Sequence, residues 1–295
     1  MDLLSVDSLT DSQVETLLDE GERWAELNRA GSNPHAPLEG RIIFNLFYEN
    51  STRTLMSFSV AAQRLGAQVV TLPVEHSSAK KGETLGDTAR TLNAMRPDGL
   101  VIRHFEDGSA DKMARIMDCP VINAGDGINE HPTQALLDAL TIRSHFGRVE
   151  DLKVAICGDI RHSRVARSNA KLLPRLGAEV QVAGPPALLP AEFHGSGDID
   201  EAIADADVIM MLRVQRERLE QDLGDAPGEY LARYGLTPER LRRAAPDAVV
   251  MHPGPMNRGV EIDSAVADDP TRSLIPLQVE MGVAMRMACL DLLVA

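Results

Sequence analysis

The sequence predicts an α/β protein of two domains, each an open parallel sheet flanked by helices. Three observations carry this reading. Short apolar, mostly β-branched runs alternate with segments of helical period along most of the chain. The 295 residues, 44% of them hydrophobic, are enough to fill a core in each of two domains. A short echo, "RLGAQV" at 64–69 and "RLGAEV" at 175–180, closes a helix with Gly and opens a strand in each half.

The elements follow in order. A first helix starts from a cap at Ser8 or Thr10 and ends around Gly31. Strands are predicted at "RIIFNLF" (41–47), "AQVVTL" (67–72), "GLVIR" (99–103) and "PVIN" (120–123). Between them Leu55, Phe58, Ala62 and Leu65, then Leu85, Ala89, Leu92 and Met95, recur at helical spacing. Another helix opens at "HPTQALLDAL", with Pro132 suited to its first turn, and ends near Gly147. The segment "FGRVED" (146–151) reads as a boundary, giving one domain over 1–147 and a second over 148–275. The second half repeats the pattern with "LKVAICG" (152–158), a helix from Ser163 to Leu176, "AEVQVAG" (178–184), "DVIMMLR" (207–213) and "DAVVMHP" (247–253). From Pro276 to Ala295 only Gly282 interrupts a helical pattern, and this last helix is expected to pack back on the first domain.

Composition narrows the function. No apolar run approaches the roughly 18–20 residues of a membrane span, and the first residues lack the basic and apolar segments of a signal peptide, so a cytoplasmic protein without membrane contact is expected. Three widely separated cysteines, Cys119, Cys157 and Cys289, read as buried thiols rather than disulfides or metal ligands. The net charge of −14 argues against a nucleic-acid surface. It would also repel a small anionic substrate unless cations are gathered locally, which makes the positions of the arginines informative.

In open parallel sheets ligands sit beyond the carboxyl ends of the strands. There the first strand runs into Ser51-Thr52-Arg53-Thr54 and a helix start: free backbone N–H groups, three hydroxyls and a guanidinium, the donor set of a phosphate site. A capped helix start would need only one of those hydroxyls. Arg103 ends the third strand, and His131-Pro132-Thr133-Gln134 opens the helix after the fourth. An imidazole at a helix N-terminus is kept from protonating and offers an N–H to a carbonyl oxygen, although a lone His before Pro is also a common packing residue. Asp126, Glu130 and Asp138 lie nearby, but without a ligand spacing such as His-x-x-x-His no metal is expected. Lys80-Lys81-Gly82 reads, on its residues alone, as a solvated loop. In the second half Arg164 starts a helix and Arg213 ends a strand with Gln215 close behind. Spacing does not choose Arg164 over Arg161 or Arg167. The turn "MHPGPMNRG" (251–259) is stiffened by Pro and Gly, so its carbonyls could accept from a ligand NH₂. A dinucleotide fingerprint fails, since "GDGINE" (125–130) has Glu in place of the third glycine, and no Walker loop is present.

The motifs "STRTLMSF", "KKGETLGDTARTL", "RH" at 103–104, "HPTQALLD", "GDIRHSRVARSN", "LRVQRERL" and "HPGPMNRGVEI" together resemble the aspartate/ornithine carbamoyltransferase family, in the family's order and over nearly the whole chain. The resemblance is to its aspartate branch. It implies transfer of the carbamoyl group of carbamoyl phosphate to the amine of L-aspartate in pyrimidine biosynthesis, without a cofactor. It further implies that Ser51, Thr52, Arg53 and Thr54 hold the phosphate, and that Thr54, Arg103 and His131 contact the carbonyl oxygen. Gln134 and Gly254-Pro255 would take the carbamoyl amide, and Arg164, Arg213 and Gln215 the aspartate. Ser77 and Lys81 match residues that the family supplies from a neighbouring subunit, implying a homotrimer with shared active sites. This replaces the solvated-loop reading of Lys81. The two domains are expected to close on the second substrate, since its ligands lie on both. The "HPGPMNRGVEI" turn resembles members that lack the regulatory chain or associate with a dihydroorotase-like protein more than it resembles the allosteric enteric type. Two alternatives stand beside this: transfer to another amino acid such as ornithine, and a non-catalytic homologue. Against the first, Arg213 would repel ornithine's ammonium, and that branch's "HCLP" turn is here "HPGP". Against the second, Arg53, Lys81, Arg103, His131, Arg164 and Arg213 are all present.

Overall fold

The computed structural model describes residues 1–31, 36–73, 82–193, 195–214 and 228–295. Within them the apolar runs form two four-stranded parallel sheets. The first holds β1 (Ile42–Phe47), β2 (Gln68–Pro73), β3 (Gly99–His104) and β4 (Val121–Asp126) in the order β2-β1-β3-β4. The second holds β5 (Lys153–Cys157), β6 (Glu179–Ala183), β7 (Val208–Met211) and β8 (Val249–Met251) in the order β6-β5-β7-β8. Their near-continuous hydrophobicity has a simple cause: helices cover parallel sheets on both faces, and every residue of β4, β7 and β8 is buried.

The helices are α1 (Asp11–Arg29), α2 (Thr52–Arg64), α3 (Leu85–Ala94), α4 (Ser109–Ala114), α5 (Pro132–Phe146), α6 (Arg164–Arg175), α7 (Ile199–Ala202), α8 (Glu229–Tyr234), α9 (Pro238–Leu241), α10 (Ser264–Ala267) and α11 (Ile275–Val294). At the start of α1 the choice between Ser8 and Thr10 falls to Thr10. Its hydroxyl accepts from the Gln13 N–H, while Gln13 Oε1 accepts from the Thr10 N–H at 2.8 Å. The short α4 and α7 to α10 have no counterpart in the sequence reading, because one or two turns show no period. Three of them are set by their caps instead, with Asp198, Thr237 and Asp263 each accepting a backbone N–H. Among the described residues no helix is long and apolar enough to cross a membrane.

The chain divides into two compact units, Met1–Leu140 with Val279–Ala295, and Thr141–Gln278. The core of the first gathers Leu46, Leu100, Ile102, Met113 and Val121 under its sheet. Here α11 is buried all round from Ala284 to Leu290, and α5 from its first residue through Leu140, as helices apolar on every face must be. Gly21 lets α1 lie against both, since a Cβ there would stand 2.8 Å from Leu140 Cδ2 and 3.1 Å from Met285 Cε. The core of the second unit gathers Ala155, Cys157, Ile209, Met211, Val250 and Ile262. Of the three free thiols, Cys157 and Cys289 are buried and pushed up to about 12 by desolvation. Cys119 corrects the expectation: it is only partly buried, though desolvation still raises it to about 11.

Each strand order reverses direction at one point. In the first sheet β1 connects outward to β2, and the chain then returns to place β3 on the other side of β1. In the second, β5 stands in the same way between β6 and β7. Crevices open outside the strand ends at such reversals.

Candidate active site

At the reversal in the first sheet, β1 and β3 run in register with Phe47 opposite Arg103, and the Tyr48 N–H donates to the Arg103 carbonyl at 2.8 Å. The chain leaving β1 therefore starts beside Arg103 and reaches α2 within a few residues. Ser51 occupies the N-cap position, yet its side chain makes no capping hydrogen bond. The first turn of α2 holds no acidic residue and carries Arg53 instead, which with Thr52 is exposed. A cation at the positive end of a helix is unfavourable by itself and favourable once an anion sits there. The capped-helix explanation of this segment thus fails where it was testable. Thr54 is buried, and its carbonyl accepts from Ser57 Oγ at 3.0 Å.

Arg103 is held from two sides. Its Nε lies 3.4 Å from Glu49 Oε2, and Nη1 donates to the Ala124 carbonyl at 3.3 Å. Next to it, His104 Nδ1 accepts the Glu106 N–H at 3.0 Å, so that nitrogen carries no proton. Burial lowers the pKa of this imidazole, which packs 4.5 Å from Tyr48 and 4.3 Å from Phe105.

Beyond β4, Asp126 ties the loop that leads to α5. Its carboxylate accepts from the Gly108 N–H (2.7 Å), the Asn123 side chain (2.8 Å), the Asn129 side chain (3.2 Å) and the Glu130 N–H (3.2 Å). Among the described residues no group of three His, Cys, Asp or Glu side chains is placed to hold a metal. The loop delivers His131 buried at the start of α5, with Nδ1 3.5 Å from Thr133 Oγ1. Gln134 follows in the first turn, and its Nε2 donates to Asp138 Oδ1 at 2.9 Å. This leaves Gln134 Oε1 as an acceptor. Adjacent strands β1, β3 and β4 thus bring Ser51 to Thr54, Arg103, His131 and Gln134 to one edge of the sheet.

The second reversal is equally constrained. Gly158, at φ 128°, turns the chain out of β5 where a Cβ would come within 2.6 Å of the Leu212 carbonyl oxygen. Asp159 is buried, accepts the His162 N–H at 3.2 Å and lies 3.0 Å from His162 Nδ1. Ser163 then caps α6 by accepting the Ala166 N–H at 3.1 Å. The three arginines that spacing left equivalent separate here. Arg161 is exposed, Arg167 pairs with Glu192 at 2.8 Å, and Arg164 is buried in the first turn of α6. Arg213 lies just past the end of β7, which stops at Met211 rather than at Arg213, and is partly buried. Ser77, Lys81 and Gln215 lie outside the described residues.

After β8, the Gly254–Pro255 peptide is cis. Proline and glycine were the visible reasons for a stiff turn, whereas the side chains that hold it were not. The His252 N–H donates to Gln278 Oε1 at 2.8 Å, and His252 Nδ1 accepts the Gly254 N–H at 2.8 Å. The ring proton therefore sits on Nε2, 3.3 Å from Glu261 Oε1, which also accepts the Asn257 N–H at 2.5 Å. Asn257 Nδ2 in turn donates to the Val214 carbonyl at 3.3 Å, tying this turn to the loop that carries Arg213.

The chain matches two domain families, the carbamoyl-P binding domain of aspartate/ornithine carbamoyltransferase over residues 1–144 and the Asp/Orn binding domain over residues 150–293. It is 60% identical over 296 residues to the aspartate carbamoyltransferase catalytic subunit of Rhizorhabdus wittichii, spanning 99% of this chain and 94% of that one. Among solved structures, aspartate transcarbamoylase from Trypanosoma cruzi in complex with carbamoyl aspartate and phosphate is similar at TM-score 0.89 and 34% identity, covering 100% of this chain and 96% of that chain. Ornithine carbamoyltransferase from Pyrococcus furiosus is similar at TM-score 0.88 and 30% identity, covering 99% and 96%. The chain belongs to the aspartate/ornithine carbamoyltransferase family.

Proposed function

We propose that this protein transfers the carbamoyl group of carbamoyl phosphate to the amine of L-aspartate, giving N-carbamoyl-L-aspartate and phosphate. The overall fold does not choose between amino acids, because the Trypanosoma aspartate enzyme and the Pyrococcus ornithine enzyme match almost equally. The observation that carries the choice is Arg213, just past β7 at the second reversal, where a guanidinium would favour a side-chain carboxylate over an ammonium. The 60% identity to an aspartate carbamoyltransferase catalytic subunit supports the same reading.

The roles follow from the chemistry of each group. Ser51, Thr52, Arg53 and Thr54, with the first N–H groups of α2, take the phosphate. The aspartate amine attacks the carbonyl carbon, and Thr54, Arg103 and His131 donate to the oxygen as it becomes an oxyanion. Gln134 Oε1 and the carbonyls of the turn at Gly254 and Pro255 accept from the carbamoyl NH₂. Arg164, Arg213 and Gln215 bind the carboxylates of aspartate. Collapse of the tetrahedral intermediate breaks the C–O bond and releases phosphate, which takes the proton lost by the aspartate amine, with no covalent enzyme intermediate. In this reading residues 1–147 serve carbamoyl phosphate and 148–275 serve aspartate. A phosphate-release assay with carbamoyl phosphate tests it: turnover with L-aspartate and none with L-ornithine is expected, and preference for ornithine would overturn it.

We also propose a homotrimer in which Ser77 and Lys81 complete the site of a neighbouring subunit. Mixing inactive Arg53→Ala and Lys81→Ala chains is then expected to restore part of the activity, through hybrid sites that keep both residues. No recovery after verified subunit exchange would rule out sharing.

A further inference from the structure

Asp138 is fully buried on α5, a helix with no solvent-facing side there. A carboxylate in such a place is costly unless it is hydrogen-bonded and its charge is balanced. The hydrogen bond comes from Gln134 Nε2, one helical turn earlier, at 2.9 Å. A buried cation, Arg286 of α11, is electrostatically coupled to Asp138. Burial pulls the Arg286 guanidinium down to about 10, so it stays charged at neutral pH. Two contacts fix its position. Nη1 donates to the Gly282 carbonyl at 2.9 Å, and the guanidinium carbon stands 5.0 Å from the centre of the Phe58 ring on α2. Gly282 makes the room, since a Cβ there would lie 2.9 Å from Arg286 Nη1 and 3.5 Å from Leu137 Cδ2.

An ordinary glutamine amide can turn over and exchange its oxygen for its NH₂. Gln134 cannot do so at low cost, because its Nε2 faces Asp138 Oδ1 at 2.9 Å and turning the amide over would set two oxygens against each other. We propose that Asp138 is a positioning residue that locks the Gln134 amide with its oxygen toward the substrate, and so selects an NH₂-bearing acyl phosphate. This rests on the reading of the first unit as the carbamoyl-phosphate site. With Oε1 presented, the carbamoyl NH₂ finds an acceptor, whereas a methyl group in its place leaves a polar atom unpaired.

The test compares dissociation constants of carbamoyl phosphate and acetyl phosphate, which differ in NH₂ against CH₃, with inorganic phosphate as a third ligand. In Asp138→Asn the preference for carbamoyl over acetyl phosphate is expected to fall about tenfold, because the new amide can face Gln134 in either orientation, while phosphate affinity holds. Since Asp138→Asn also removes a group to which the buried Arg286 is coupled, the double variant Asp138→Asn/Arg286→Met is measured beside it and is expected to lose the same preference. An unchanged preference in either folded variant would overturn the inference and leave the functional reading standing. Failure of the wild-type protein to bind carbamoyl phosphate would remove both.

Discussion

Arg103→Ala is expected to lower kcat for carbamoyl transfer to aspartate by about 10²- to 10³-fold, the usual cost of deleting one donor to a developing oxyanion. The expectation comes from how Arg103 is placed. It lies next to last in β3, at the reversal of the first sheet, beside the segment that leads from β1 into Ser51 to Thr54. Its guanidinium is braced by Glu49 and the Ala124 carbonyl, so it is oriented before substrate arrives. Such preorganised charge acts on the transition state without a reorganisation cost. The same variant is expected to stay folded, because the Glu49 that it leaves behind is not fully buried and keeps access to water. Steady-state kinetics at saturating substrates with a thermal melt as control separates the two effects, and an unchanged kcat would remove Arg103 from oxyanion stabilisation.

Much of this site is legible in the residues because parallel sheets concentrate function at strand ends. Once "RIIFNLF" and "GLVIR" read as strands, Ser51 to Thr54 have to lie beyond the first and Arg103 at the end of the second; the structure places Ser51 to Thr54 past β1 and Arg103 in β3, one residue before it ends at His104. Adjacency was not legible. That β1 neighbours β3, and β5 neighbours β7, depends on strand order, which no local pattern encodes. The same limit hid the residues that hold the site. Asp138 reads in the sequence only as one of three acids without a metal-ligand spacing, and its hydrogen bond to Gln134 and its coupling to Arg286, almost 150 residues away in sequence, are what the structure adds. A signal did exist: an arginine in the middle of the apolar run "MGVAMRMACL" has to be compensated from elsewhere. The His252–Glu261 contact behind the "HPGP" turn is similar, since proline and glycine announce a turn without naming what braces it. One-turn helices such as α9 and α10 escaped because capping, not periodicity, defines them.

The claim under all of this is that guanidinium groups from the strand ends hold two anionic reactants at once, in a protein whose net charge is −14. Phosphonoacetyl-L-aspartate joins both anions in one non-reactive molecule, and calorimetric titration with it addresses the claim directly. Each charge-assisted hydrogen bond is typically worth about 1.5–3 kcal/mol, so Arg53→Ala and Arg213→Ala are each expected to weaken binding by about 10- to 100-fold. Phosphonoacetate alone, which lacks the aspartyl carboxylates, is expected to lose affinity with Arg53→Ala but not with Arg213→Ala. Wild-type affinity for the joined compound no better than for phosphonoacetate, or binding of it that survives Arg213→Ala undiminished, would contradict the account.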